Sequence, residues 1–127
     1  MPVITALYAG LLGLLSIVIA GGAGRARARS GVSIGDGGNV EVVAAMRRHA
    51  NFVEFVPLDL ILIGLLELNG VTGSAIHALG ATLLAARVFH AVGYRADGSL
   101  NALRTLGAVG STLVTVVASI WAITLFF

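Results

Sequence analysis

The stretch RRHANFVEFVP, Arg47–Pro57, sets charged and amide side chains at the head of a long apolar run that has the length of a membrane span. An ionisable side chain at membrane depth costs about 2.5–3.5 kcal/mol on insertion scales, so it usually faces a bundle interior, a partner charge or a ligand. Arg47, Asn51 and Glu54 follow one another at i, i+4 and i+7 and therefore share one helical face. A cation, an amide and a carboxylate on one stripe make a place to hold something polar.

Outward from this stripe, composition sets the class. Hydrophobic residues make up 57% of the 127 residues and charged residues 11%, whereas a soluble domain carries about 25% charge. Mean hydropathy is +0.98. These values predict an all-α membrane protein, and the length suits a single domain over residues 1–127. The absence of Cys excludes disulfides, thiolate nucleophiles and Cys-bound metals. All eight basic residues are Arg, and the net charge of +2 reads as membrane topology, with no nucleic-acid partner.

Four hydrophobic segments are expected as helices, at about 3–23, 40–68, 73–94 and 100–127, in an up-down bundle. Each reaches the roughly 20 residues needed to cross about 30 Å of hydrocarbon. The first resembles a signal peptide only superficially, because it lacks a basic leading region. Between the segments lie a glycine-rich connection at 24–39, an Asn69-Gly70 stop, and the RADGS turn at 95–99. Four spans put both termini on one side and the 24–39 and 95–99 connections on the other. Arg25, Arg27, Arg29 and Arg95 fall in those connections, with Arg47, Arg48, Arg87 and Arg104 nearby in the helices, so the positive-inside rule places that side in the cytoplasm.

Depth then brings polar groups together. At 1.5 Å rise per residue, Asn51 and Glu54 lie roughly 15–20 Å into the second helix, and Arg87 about 10 Å from the cytoplasmic end of the third. Arg104 enters from the fourth. A polar pocket lined by the second, third and fourth helices is expected, rich in guanidinium groups that bind carboxylates through two parallel bonds.

The pattern Arg47-x-x-x-Asn51-x-x-Glu54-x-x-Pro57 resembles the MAPEG family, membrane-associated proteins in eicosanoid and glutathione metabolism; His49 and Glu67 point to its short bacterial branch. ARVFHAVGY at 86–94 and LNALRTLG at 100–107 are similar to the family's third helix and the start of its fourth. The resemblance implies a homotrimer of four-helix subunits in a bacterial inner membrane, with glutathione as co-substrate bound between subunits near the cytoplasmic face. It implies that Arg47, Asn51, Glu54 and Tyr94 hold the tripeptide, that Arg87 supports them, and that Arg104 stabilises the thiolate. The implied activity is a transferase or peroxidase acting on lipophilic electrophiles or hydroperoxides. Two positions depart from the enzymatic members: Phe55 and His90 stand where tyrosines are frequent. His90 can donate a hydrogen bond in place of a hydroxyl; Phe55 cannot. That departure keeps open a non-catalytic accessory subunit of a larger membrane complex. A proton-coupled exporter is disfavoured, because Val3–Gly24 holds no charged residue.

Other residues have plainer readings. Arg47 and Glu54 could form a structural ion pair. Arg48 reads as a snorkelling arginine, and Arg25, Arg27 and Arg29 as topology determinants touching anionic lipid. His49 reads equally as pocket rim or interface. Asp59 reads as a subunit-interface or site residue, while His77 and Glu67 belong near the far surface. The Gly10, Gly13 and Ser16 set and the Gly107, Gly110 and Ser111 set read as close helix packing.

Overall fold

The computed structural model describes every residue except Ala96, Gly98 and Leu100. The expected start of the fourth helix at Leu100, and two positions of the expected 95–99 turn, lie outside the described residues. The chain forms four helices: α1 (Val3–Ser30), α2 (Val40–Leu68), α3 (Gly73–Gly93) and α4 (Ala102–Thr124).

Helix α1 continues well past the expected end at Ala23. Gly21, Gly22 and Gly24 weaken a helix without ending it, and the alternating Ala and Arg that follow are strong helix formers. The stop comes at Gly31, which adopts the left-handed conformation (φ 66°, ψ 20°) and donates its backbone N–H to Ala28 O. That geometry is nearly free for glycine and strained for other residues. Arg25, Arg27 and Arg29 therefore stand on a helix, with assigned faces, where a loop was expected.

Helix α2 starts on Asn39, whose side-chain oxygen accepts from the Glu41 and Val42 backbone N–H groups. Pro57 sits inside it. A proline lacks the N–H for one backbone bond of the ladder. Asn101 caps α4 by accepting from Arg104 N at 3.0 Å, and its amide donates to Gly93 O at 2.7 Å. One side chain thus joins the end of α3 to the start of α4. Helix α3 stops at Gly93, one residue before the expected Tyr94, which is extended (φ −82°, ψ 106°). Helix α4 ends at Thr124, short of the expected Phe127.

The bundle is up-down. Helix α1 packs chiefly on α2, and α3 on α4; α2 and α3 touch every other helix, while α1 and α4 make no contact among the described residues. The core contains Leu12, Phe52, Ile63, Leu66, Leu83 and Val114. The outer faces remain apolar: Leu14 and Ile17 of α1, Ile61 of α2, and Leu113 and Ile120 of α4 are all exposed. A water-soluble monomer does not present such a surface, and a bilayer is its natural solvent. By length and composition α1, α3 and α4 each suffice to cross a membrane. Helix α2, at 29 residues, is as long as they are, but it carries Arg47, Arg48, Glu54 and Asp59. The protein is an integral membrane protein with its polar helix packed among the other three.

Close approach of α4 to α3 depends on Gly107. A Cβ there would fall on the His90 backbone nitrogen and within 2.6 Å of Ala86 O. The small-residue reading of this stretch locates the contact on α3, next to the polar groups described below.

Candidate functional site

Where α1 ends, α2 begins, α3 ends and α4 begins, the bundle gathers its arginines. A cavity of about 110 Å³ opens there, lined by Arg47, Ala50, Asn51, Glu54, His90, Tyr94 and Arg104. The i, i+4, i+7 stripe of α2 forms one wall, as its spacing requires. His90 and Tyr94, four residues apart across the end of α3, form the second; their rings sit 5.6 Å apart, tilted by 57°. Arg104, from the first turn of α4, closes the third, with its guanidinium carbon 4.3 Å from the centre of the Tyr94 ring. This cation–π contact holds the cation against the aromatic face and leaves the rim of the guanidinium free to donate.

Arg87 lies behind the cavity and does not line it. It is 1% exposed. Its Nη1 donates to Asn51 Oδ1 at 3.1 Å and to Asn51 O at 3.3 Å, and its Nη2 donates to Gly107 O at 3.3 Å. One guanidinium therefore fixes the Asn51 amide and ties α2 to α4 through α3. The bond to Gly107 O needs the same absent Cβ that lets α4 approach. Phe55 also stands apart from the cavity lining. Its ring lies beside Arg87, 5.2 Å from guanidinium carbon to ring centre. The Phe55 ring thus supports the buried cation.

Three residues have places that the sequence does not announce. Arg48 is half-buried and donates to Tyr94 O at 2.6 Å, bracing the end of α3 against α2. Arg48 lies about 100° around the helix from Arg47 and also borders a cavity with Arg25 and Arg29 of α1, so this bond adds to the expected headgroup-facing role. Its partner is a backbone carbonyl, which no side-chain pattern reveals. Asp59 is 0% exposed inside this one subunit and accepts from Thr115 Oγ1 at 2.6 Å, so it is an internal polar tie between α2 and α4 and not a subunit-interface residue. Asn101, unremarked in the sequence, holds the α3–α4 corner that positions Arg104.

His49 and Arg27 lie on a different groove, between α1 and α2, of about 510 Å³ and mostly apolar walls. Ala50 lines both this groove and the polar cavity. At the opposite end of the bundle, Glu67 accepts from the backbone N–H groups of Ile4 and Thr5 at 2.9 and 2.8 Å and from the Thr5 hydroxyl at 2.6 Å. His77 meets the Tyr8 hydroxyl at 3.1 Å. Among the described residues, no group of three acidic or histidine side chains is arranged to hold a metal ion.

The fold and cavity define a four-helix integral membrane protein with a cationic and carboxylate-bearing pocket at one end of the bundle. The family model described as "MAPEG family" matches residues 5–124, nearly the whole chain, and the protein belongs to that family. The inner membrane protein YecN of Escherichia coli strain K12 is 37% identical over 91 residues, covering 72% of this chain and 70% of YecN. The protein of the same name from Escherichia coli O6:H1 matches to the same extent. No solved structure matches.

Proposed function

We propose that the protein is a glutathione-dependent membrane enzyme, a transferase or peroxidase for lipophilic electrophiles or hydroperoxides. The observation that carries this reading is the convergence of Arg47, Asn51, Glu54, His90, Tyr94 and Arg104 on one cavity. Glutathione carries two carboxylates, an ammonium group and a thiol. Arg47 pairs with a carboxylate, Glu54 accepts from the ammonium, and Asn51, His90 and Tyr94 supply neutral hydrogen bonds. Arg104 favours the thiolate over the thiol, because a nearby cation stabilises the charged form. The thiolate is the nucleophile. In transfer, its sulfur forms a bond to the electrophilic carbon, and the thiol proton leaves to solvent or to the displaced group. In peroxide reduction, one thiolate breaks the O–O bond, and a second glutathione completes the disulfide as the hydroperoxide becomes alcohol and water.

We infer a homotrimer, in which a neighbouring subunit enlarges the small site. Sites for small molecules run upward from about 300 Å³, so about 110 Å³ accommodates one charged end of a tripeptide. A second subunit set against the α1–α2 groove would complete the enclosure. Membership of the family supports this assembly, and the inner-membrane name of the YecN relatives supports the same location here. The arginine-rich end then faces the cytoplasm, with both termini opposite.

Phe55 favours a second reading, a non-catalytic subunit of a larger membrane complex, because its ring backs Arg87 and adds no hydroxyl to the site. Calorimetric titration of the purified protein in detergent separates the two. The enzyme reading expects binding at up to millimolar glutathione, weakened in Arg47→Ala and Glu54→Ala. Absence of binding in the unaltered protein sinks it. Where binding is present, absorbance near 240 nm reports the thiolate, and Arg104→Ala abolishes that signal.

A further inference from the structure

The alternating arginines of α1 divide between two sites. Arg27 donates to Ser33 O in the α1–α2 connection and to the Met46 sulfur of α2, both at 3.3 Å. Arg25 and Arg29, at i and i+4, share the other face. There they line a cavity of about 300 Å³ together with Arg48 and Glu41, between walls of small residues such as Gly22 and Ala44. Three guanidinium groups face one carboxylate. Arg48 is already held in position by its bond to Tyr94 O, and its Nε is buried without a partner.

We propose that Arg25, Arg29 and Arg48 form an anion site for the phosphate of an anionic phospholipid in the leaflet at this end of the bundle. Geometry selects the lipid. A helix needs about 20 residues to cross the hydrocarbon, so an α1 that starts at Val3 leaves it near residue 23 and carries Arg25 and Arg29 into the headgroup layer. The guanidinium fork matches phosphate oxygens in shape as well as charge. A fixed Arg48 loses less freedom on binding than a mobile surface arginine. The small residues leave room for the headgroup where larger side chains would fill the gap. This site is separate from the polar cavity of α2, α3 and α4, and it does not depend on glutathione.

The test uses the full chain, purified in detergent and presented with equal amounts of phosphatidylglycerol and phosphatidylcholine, with retained lipid counted by native mass spectrometry. Each arginine near an anionic surface contributes about fivefold in affinity. The expected preference for phosphatidylglycerol is therefore at least about tenfold, and it collapses in the Arg25→Gln/Arg29→Gln double variant. Both positions are exposed, so that variant folds, and its thermal midpoint is measured alongside. Arg95→Gln, outside the site, retains the preference. Equal retention of the two lipids by the unaltered protein overturns the proposal, as does an undiminished preference in the double variant. Displacement of the lipid by millimolar inorganic phosphate assigns the site to a soluble anion and overturns the lipid assignment.

Discussion

Where α1 begins, Glu67 gives both carboxylate oxygens to Ile4 and Thr5 and leaves α1 with two of its free N–H groups satisfied. Where α1 ends, Arg47, Glu54 and Arg104 border a cavity instead. Both ends hold charged groups near a membrane surface, yet one set is spent on the fold and the other is left facing space. The difference lies in the partners. Glu67 meets backbone donors that any helix start must satisfy, so its role is structural. Arg47 and Glu54 of α2 instead line a cavity together with His90, Tyr94 and Arg104, and both side chains are exposed. Between the two ends, Arg87 belongs to the structural set although it touches the pocket residue Asn51.

Substitutions can break that comparison or sharpen it. The largest effect is expected from Arg87→Ala, which strips the half-buried Asn51 oxygen and the buried Gly107 O of a charged donor and should cost about 3 kcal/mol or more of stability. A sharply lowered thermal midpoint in detergent checks it; an unchanged midpoint would move Arg87 out of the structural set. Arg47→Ala and Glu54→Ala are expected to do the reverse, lowering glutathione affinity by roughly 10–100-fold through lost charged hydrogen bonds. Both side chains are exposed, so the midpoint should move by no more than about 0.5 kcal/mol equivalent. Glu67→Ala should lower stability by about 1–2 kcal/mol, the scale of a lost helix cap, while the calorimetric affinity for glutathione stays unchanged. The smallest effect is expected at Phe55→Tyr. Because the ring faces Arg87 and not the cavity, glutathione affinity should change by less than about twofold. A tenfold gain would show that the new hydroxyl reaches the ligand.

The stripe Arg47, Asn51 and Glu54 was legible because helical spacing alone puts i, i+4 and i+7 on one face. His90, Tyr94 and Arg104 were legible as its companions because antiparallel helices with short connections return to the same end of a bundle. Arg87 was legible as a supporter and not as a buried one, since burial depends on the approach of α4 at Gly107. The end of α1 was misplaced by its glycines, which break helices in water more readily than in a packed membrane bundle. The internal bonds of Arg48 and Asp59 were not legible, for one shared reason. Their partners, the Tyr94 carbonyl just past α3 and the Thr115 hydroxyl on α4, lie far along the chain and leave no mark near them in it.

Composition and periodicity by themselves determined an all-helical membrane protein, the four apolar segments and the polar face of α2, because those follow from local spacing and from the cost of charge in hydrocarbon. Only the tertiary structure decided which charges close on one another and which remain open. It withdrew Arg87, Asp59 and Glu67 into the fold, turned Arg27 away from Arg25 and Arg29, and set Arg47, Glu54 and Arg104 around a common space. Those outcomes depend on distances between helices, and the distances depend on contacts such as Gly107 against His90 that arise only when the four helices pack.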